Sequence, residues 1–269
     1  MAGMYAVYHG PEGLKEISKS IHLKAVYLDR SLQSIGLQIK YSKYFDTVTV
    51  LCDSKKIKEL AALKKINFCF LSNNEISISV NEKTNMKDLK EIISVFEEFM
   101  NKESSIEEFP TDIEFINERK SDILSHPVFN SYHSETSLMR YIKSLENKDL
   151  SLTQSMISLG SCTMKLNSAS EMIPLSWSEW NSIHPFVPVD QAKGYHEVIN
   201  RLEEYLSEIT GFAATSLQPN SGAQGEYSGL MVIKSYLDKK GDSHRNICLI
   251  PSSAHGTNPA SAIMAGLKV

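Results

Sequence analysis

The residues best suited to chemistry lie where a turn opens into a helix, in residues 217–230 (LQPNSGAQGEYSGL). The first backbone N–H groups of a helix are unpaired and carry partial positive charge. Small side chains let an anion approach that backbone, so the stretch suits a phosphate group. The spacing matches neither the P-loop nor the dinucleotide fingerprint, so spacing alone favours a simple N-cap at Asn220 or Ser221 without a ligand. The candidate phosphate-binding residues are Ser221, Gly222, Ala223 and Gln224.

A second cluster follows the apolar run at residues 247–250, which predicts a buried strand that Pro251 ends. His255, Thr257 and Asn258 come after this strand, and open α/β sheets bind ligands beyond the carboxyl ends of their strands. His255 is therefore a candidate catalytic or stacking residue, although a lone histidine is also commonly a packed or solvated side chain. With a helix over residues 222–239, this pattern predicts a strand–loop–helix unit with a polar rim.

A third cluster, SLGSCTMKLN at residues 158–167, places Ser161, Cys162 and Thr163 beside Gly160. It is equally typical of a polar turn before a helix. Lys165 lies close by, but no pattern here predicts the burial or the neighbouring cation that makes a lysine nucleophilic. Residues 184–195 (HPFVPVDQAKGY) contain two prolines and predict a long structured loop.

The composition is that of a globular chain large enough for two domains. It has 269 residues, 42% of them hydrophobic, and a net charge of −4 with both signs interspersed. No basic block favours nucleic acid, no apolar run is long enough for a membrane span, and the amino terminus carries no targeting pattern. The four cysteines lack the spacing of a zinc site; Cys52, Cys69 and Cys248 lie in strand-like runs and are expected to act as small hydrophobes in a reducing compartment.

The elements that carry these clusters follow from hydrophobic periodicity. Residues 1–103 predict an α/β unit with the order helix, strand, helix, strand, strand, helix, and with no chemistry of its own. Its strands are expected at residues 45–52, 68–71 and 76–80, and its second and third helices after a cap at Asp53-Ser54 and over residues 86–100. Residues 104–150 are polar and predict a connector with a helix from Ser134 through Leu145. The expected core residues are Leu14, Ile17, Ile21, Leu28, Leu32, Ile35, Ile57, Leu60, Ala61, Leu63, Leu89, Ile92, Ile93, Phe96 and Phe99.

Six strings in this chain carry a family resemblance. They are YAVYHGPEGLKEI, HPVFNSYHSETSLMRYI, MISLGSCTMKLN, IHPFVPVDQAKGY, LQPNSGAQGEYSGL and LIPSSAHGTNPASA. In this order they resemble the glycine decarboxylase P-protein family of the glycine cleavage system, over essentially the whole chain and more loosely between residues 37 and 125. Ser158, where the family pattern has a proline, is a minor departure.

The resemblance implies the aspartate-aminotransferase-like fold type I, an α/β fold built in this family as two homologous halves. Residues 1–103 would be the small α+β domain of the non-catalytic first half, 104–150 the connector, and 151–269 part of the large α/β domain of the catalytic second half. The Schiff-base lysine is expected beyond residue 269, in a Gly-rich context next to a histidine. Neither Lys165 nor Lys268 has that context, so the chain is expected to be an internal fragment that is inactive alone.

The implied activity is pyridoxal-phosphate-dependent decarboxylation of glycine, with transfer of the aminomethyl group to the lipoyl group of H-protein. Residues 221–224 would hold the cofactor phosphate, and His255 would stack on the pyridine ring as the catalytic residue. Thr257 and Asn258 would line the same rim, and Ser161, Cys162 and Thr163 would approach the cofactor or substrate. No metal is expected.

The expected partners are glycine, H-protein and the other half or a second copy of the P-protein, in a dimer or a heterotetramer. The expected location is a bacterial cytoplasm, or the mitochondrial matrix if the source is eukaryotic. Two other interpretations stay open. One is another fold type I decarboxylase, which would share the phosphate loop and the histidine. The other is a non-catalytic assembly partner of a catalytic half.

Overall fold

The structure is a computed structural model that describes residues 1–111, 119–151, 154 and 168–269. The chain divides into two compact units, Met1–Ser155 and Met156–Val269, called here the amino-terminal and carboxy-terminal units. Helices and a small antiparallel sheet make the chain a mixed α/β protein, as its sequence predicts. Among the described helices, none has the length and apolar character needed to cross a bilayer.

The amino-terminal unit contains all four named strands. Its elements are α1 (Ala2–Ser34), β1 (Gln38–Ile39), β2 (Thr47–Leu51), α2 (Ser54–Leu63), β3 (Cys69–Ser72), β4 (Glu75–Ser79), α3 (Met86–Met100), a 3-10 helix at Pro127–Asn130 and α4 (Glu135–Glu146). The predicted order is confirmed, with the two-residue β1 added. Helix α1 begins at Ala2, and the chain is helical on both sides of a break at Gly10.

The four strands form one antiparallel sheet in the order β1-β2-β4-β3. Val48 faces Ile78 and Val50 faces Ile76 across the central pair, and all four side chains are buried. Thr47 and Ser79 are paired one position along, on the opposite face, where their hydroxyl oxygens lie 2.8 Å apart. This alternation gives the sheet one apolar face and one polar face, which is typical of an antiparallel sheet covered on a single side.

The core of this unit forms where α1, α2 and α3 pack on the apolar face of the sheet. Eight of the predicted core residues are buried, and the list is Leu28, Leu32, Ile35, Ile57, Ala61, Leu89, Ile93 and Phe96. The prediction for Leu63 is wrong, since its side chain is 80% exposed. At 100° per residue, Leu63 points away from the face that Ile57 and Ala61 share. Cys69 is also exposed, on the edge strand β3, and is not the small core residue expected.

Side-chain caps fix where two of these helices begin. The Asp53 carboxylate accepts hydrogen bonds from the backbone N–H groups of Lys55 and Lys56, as the predicted cap requires. Asn85 and Asp88 form a capping box at the start of α3. Each cap pairs backbone donors that a helix start leaves unpaired, so the boundaries follow from local sequence.

The carboxy-terminal unit is mostly helical. Its elements are α5 (Ala169–Met172), α6 (Ser178–Asn181), α7 (Lys193–Thr210), α8 (Gly222–Lys239) and α9 (Thr257–Met264), with 3-10 helices at Ile173–Ser176 and Val189–Gln191. Helix α8 spans the predicted residues. The strand predicted at residues 247–250 is reduced to one parallel bridge between Ile247 and Lys268. It is not buried, because among the described residues no further strand pairs with it, and Leu249 is 92% exposed.

Candidate functional site

The start of α8 is organised by two side chains. The Ser221 hydroxyl oxygen accepts a hydrogen bond from the Gln224 backbone N–H at 3.2 Å, and the Gln224 side-chain oxygen accepts one from the Asn220 backbone N–H at 2.8 Å. In the part of the chain that the structure describes, the N–H groups of Gly222 and Ala223 meet no acceptor. The N-cap that the sequence allowed is therefore present at Ser221, and it leaves two backbone donors unpaired.

The backbone at this helix start is open to a ligand. Residues 221–226 are all exposed, and a Cβ atom placed on Gly222 would meet no atom within 4 Å. The Ser221 hydroxyl keeps its own hydrogen for a ligand, and the Gln224 amide nitrogen is free to donate because its oxygen is already engaged. Together with the positive end of the helix dipole, these donors suit a bound phosphate.

His255 lies directly before α9 and is held there by Thr257. Its Nδ1 accepts a hydrogen bond from the Thr257 backbone N–H at 3.1 Å and lies 2.6 Å from the Thr257 hydroxyl oxygen. Because a backbone N–H can only donate, Nδ1 is the acceptor, and the neutral ring carries its hydrogen on Nε2. The His255 side chain is exposed, so one face and Nε2 remain accessible. Asn258 also belongs to this turn, since its N–H donates to the His255 carbonyl at 3.0 Å.

Helices α8 and α9 pack side by side and run in the same direction. The Ser261 hydroxyl donates to the Glu226 carboxylate at 3.3 Å, and the Lys234 ammonium donates to the Gly266 carbonyl at 3.4 Å. Residue numbers therefore increase together along both helices. Ser261, Ala262 and Ala265 are buried, and their small side chains are suited to close helix packing.

This parallel packing brings two of the predicted clusters to one end of the helix pair. Glu226 and Ser261, which are in contact, each lie four residues after the start of their own helix. At 1.5 Å per residue, both helix starts are therefore about 6 Å from this contact, on the same side of it. Residues 221–224 and residues 255–258 therefore lie at the same end, where both helix dipoles present partial positive charge. The third cluster, Ser161, Cys162 and Thr163, lies outside the described residues, as does Lys165.

A separate open groove runs along α7 and contains none of the predicted site residues. Its lining residues are Val189, Asp190, Lys193, His196, Glu197, Asn200, Arg201 and Glu204. Charges of both signs alternate there, and Arg201 pairs with Glu197 at 3.6 Å within the helix. The groove therefore offers no concentrated charge for an anion, and the helix starts are the stronger candidate site.

Among the described residues, no three His, Cys, Asp or Glu side chains are grouped to hold a metal ion.

Comparison with known proteins shows which class of protein these two units resemble. The family model for the glycine cleavage system P-protein matches residues 1–96. The resemblance that the six motifs carry to this family is confirmed.

Individual relatives match along the whole chain. Glycine dehydrogenase (decarboxylating) of Christiangramia forsetii is 58% identical, and the protein of the same name from Flavobacterium johnsoniae is 55% identical. The mitochondrial glycine dehydrogenase (decarboxylating) of Gallus gallus is 50% identical. All of this chain is covered in each match, but it spans only 29%, 29% and 27% of the length of these relatives.

Proposed function

We propose that this chain works as part of a glycine dehydrogenase (decarboxylating), the P-protein of the glycine cleavage system. The reaction is decarboxylation of glycine, followed by transfer of the aminomethyl group to the lipoyl group of H-protein. The observation that carries the proposal is the 58% identity to an enzyme of that name, which extends over every part of this chain.

The proposed fold is the aspartate-aminotransferase-like fold type I. Residues 1–103 would form a small domain of the first half, 104–150 the connector and 151–269 part of the large cofactor-binding domain. The parallel bridge between Ile247 and Lys268, with α9 between its two segments, supports this assignment. Such a strand–helix–strand crossover is the repeating unit of parallel α/β domains.

Pyridoxal phosphate is the proposed cofactor, and the helix starts described above fit its phosphate. Gly222 and Ala223 would donate their backbone N–H groups, while Ser221 and Gln224 would add their side-chain donors. When bound, pyridoxal phosphate supplies an electron sink for loss of the carboxyl group.

His255 would lie flat against the cofactor ring, and this chain already provides what holds it in place. Thr257 engages Nδ1 and so limits rotation of the imidazole, leaving the ring face free to stack. Asn258 would line the same rim, and Ser161, Cys162 and Thr163 would approach from the segment before α5.

Glycine, lipoylated H-protein and another half or copy of the P-protein are the proposed partners. The two bacterial relatives favour a bacterial cytoplasm over a mitochondrial matrix.

A chimeric enzyme tests this proposal. The matching segment of the Christiangramia forsetii enzyme is replaced by this chain, and glycine-dependent release of CO2 is measured with lipoylated H-protein. We expect activity within about tenfold of the parent enzyme, since the motifs at the helix starts are retained. His255→Ala in the chimera should lower the rate by about a hundredfold or more, within the range for a residue that positions or activates a reacting group. His244→Ala, at an exposed turn, is the matched control and should leave the rate unchanged.

The rival interpretations give different results in the same assay. A chimera that releases CO2 from glutamate but not from glycine would identify another fold type I decarboxylase. A folded chimera without activity on either amino acid would identify a non-catalytic assembly partner and reject the proposed function.

A further inference from the structure

Helix α1 is broken at Gly10, which has φ 63° and ψ −177°. In this backbone conformation, any residue other than glycine is substantially strained. Pro11 follows at once and begins the second helical segment, where its missing N–H is no loss. The break is therefore encoded by a Gly-Pro pair, and Gly10 itself is buried.

Residues 126–134, called here the strap, lie against this break. A nitrogen of the His133 ring, Nδ1, is 2.8 Å from the Tyr8 carbonyl oxygen. A carbonyl can only accept, so Nδ1 carries the hydrogen and donates it. A Cβ atom on Gly10 would lie 2.7 Å from the Phe129 carbonyl oxygen and 2.6 Å from a carbon of the His133 ring. Only glycine leaves room for the strap at this position.

The hydrogen bond from His133 to the Tyr8 carbonyl compensates for the break in helix α1. A helix that ends leaves its last carbonyl groups without intrahelical donors. His133 supplies a donor to the Tyr8 carbonyl, as basic side chains do at helix ends. The first segment of α1 and the strap are therefore joined by a polar contact between residues 125 positions apart.

The strap buries less of its own surface than the rest of the amino-terminal unit does. Neither Pro127–Asn130 nor α4 has a buried residue, whereas α1, α2 and α3 bury a continuous apolar core with the sheet. The strap also has internal hydrogen bonds, from the Val128 N–H to His126 Nδ1 and from the Ser131 hydroxyl to the Pro127 carbonyl. A segment that is ordered internally but buries little surface can separate without unfolding the core.

We propose that the strap is a releasable clasp, closed on the α1 break by Gly10 and His133, which opens as a unit while the core stays folded. Ser134 ends the strap and caps α4, accepting a hydrogen bond from the Ser137 N–H. Opening of the clasp therefore also frees α4, a helix whose Met139 and Ile142 side chains are exposed. The clasp involves neither the cofactor nor the proposed reaction.

Hydrogen–deuterium exchange of the 269-residue chain, read by mass spectrometry, tests the clasp. Gly10→Ala should speed exchange of peptides within the strap by about tenfold or more, because its Cβ atom would clash with the Phe129 carbonyl and the His133 ring and would strain the backbone. Peptides from β2 and α3 should exchange as in the parent chain. Gly3→Ala is the matched control, because a Cβ atom there meets nothing within 4 Å, and it should change neither region.

His133 provides a second variant in case Gly10→Ala does not fold. His133→Ala should speed strap exchange without affecting β2 or α3, and His133→Gln, which keeps a side-chain N–H donor, should recover part of the protection. Unchanged strap exchange in the alanine variants would overturn the proposal. Acceleration of the strap and the core together would also overturn it, since the strap would then open only with global unfolding.

Discussion

The two units of this chain differ in how completely they bury their apolar side chains. In the amino-terminal unit, residues from α1, α2, α3 and the sheet form one continuous buried cluster. Within residues 168–269, the buried residues are Ala192, Ser261, Ala262 and Ala265, while Val232 is 69% exposed and Leu249 is 92% exposed. The candidate cofactor site lies in this second unit, so the residues expected to do chemistry are separate from those that stabilise the fold.

The two units therefore depend on their surroundings to different degrees. Burial of apolar surface is the main stabilising term in folding, and the amino-terminal unit obtains it from its own residues. The carboxy-terminal unit obtains little stabilisation from burial of its own apolar side chains. Its main helix contact is between small side chains of α9 and the face of α8. We expect the first unit to unfold cooperatively and the second to open at lower free energy.

The largest effect should come from a core truncation. Phe96→Ala removes a fully buried ring and should lower the free energy of unfolding of the amino-terminal unit by about 3–5 kcal/mol. Val232→Ala, on the exposed face of α8, should change stability by no more than about 0.5 kcal/mol. Urea unfolding of the first unit is monitored through hydrogen exchange of α3 peptides. Unfolding of the second unit is monitored through the fluorescence emission of Trp177 and Trp180. One shared transition that responds equally to both variants would show that the two units do not differ in stability.

The second effect is a pH dependence confined to the amino-terminal unit. Burial, with a smaller contribution from Asp53, raises the pKa of the Cys52 thiol from 9.0 to about 11. Between pH 9 and about pH 11 the unfolded chain releases this proton while the folded chain keeps it, so stability should fall as pH rises through that window. Below pH 9 both states are protonated and the group contributes no pH dependence.

Two cysteine variants measure this effect. Cys52→Ala should reduce the fall in the free energy of unfolding that begins above pH 9, and the raised pKa of the Tyr44 hydroxyl should account for part of what remains. Cys69→Ala, at an exposed position, should leave the fall unchanged. In the folded parent chain at pH 8, the thiolate fraction of Cys52 should be roughly a hundredfold below that of a thiol with a pKa of 9.0. Alkylation of Cys52 as fast as that of Cys69 at pH 8 would contradict the assignment.

A third test compares a helix cap from each unit. Asn85→Ala removes the capping box of α3 and should cost about 1–2 kcal/mol in the unfolding of the amino-terminal unit, while Asn85→Asp should restore most of it. Ser221→Ala removes one bond at the start of α8 and should cost about 0.5–1 kcal/mol, felt in that helix alone. If Ser221→Ala shifted exchange in α3, the units would be more strongly coupled than we infer.

The smallest effect should come from a buried hydroxyl in α1. Ser31 is fully buried, and in the described part of the chain its hydroxyl oxygen has no hydrogen-bond partner. Ser31→Ala should therefore be neutral or stabilise the unit by up to about 1 kcal/mol. Ser34→Ala on the same helix is the matched control and should destabilise by about 1 kcal/mol, since it removes bonds to the Ser31 carbonyl and to Ser104. The urea midpoints of unfolding distinguish the two variants, provided that the dependence of the unfolding free energy on urea is unchanged. A loss of stability in Ser31→Ala would mean that a water molecule pairs with this hydroxyl.

Local sequence predicts the parts of this fold that depend on neighbouring residues. Helix α3 begins at Met86 and ends at Met100 as expected, because Asn85 caps it and its apolar face repeats at helical spacing. The start of α8 and the cap at Ser221 follow from the same kind of signal. The predicted clusters at residues 221–224 and 255–258 lie at one end of a helix pair, while their role in binding a cofactor stays a prediction.

The parts that local sequence does not predict depend on distant residues. Strand β1 is two residues long and exists only because it pairs with β2. The run at residues 247–250 has the composition of a buried strand, but burial requires neighbouring strands that no local pattern specifies. The hydrogen bond from His133 to Tyr8 joins residues 125 apart, and the only local signal for it is the Gly10-Pro11 pair.

The pairing of Ile247 with Lys268 has a consequence for the order in which contacts form during folding. The two residues are brought together by the Cys248 N–H bond to the Lys268 carbonyl and the Lys268 N–H bond to the Asn246 carbonyl, both 2.7 Å long. Closing this loop costs chain entropy before any pairing is gained, whereas α9 inside it forms from local contacts. Helix α9 should thus appear early on the folding pathway and shorten the span to be closed, with the parallel bridge completed late.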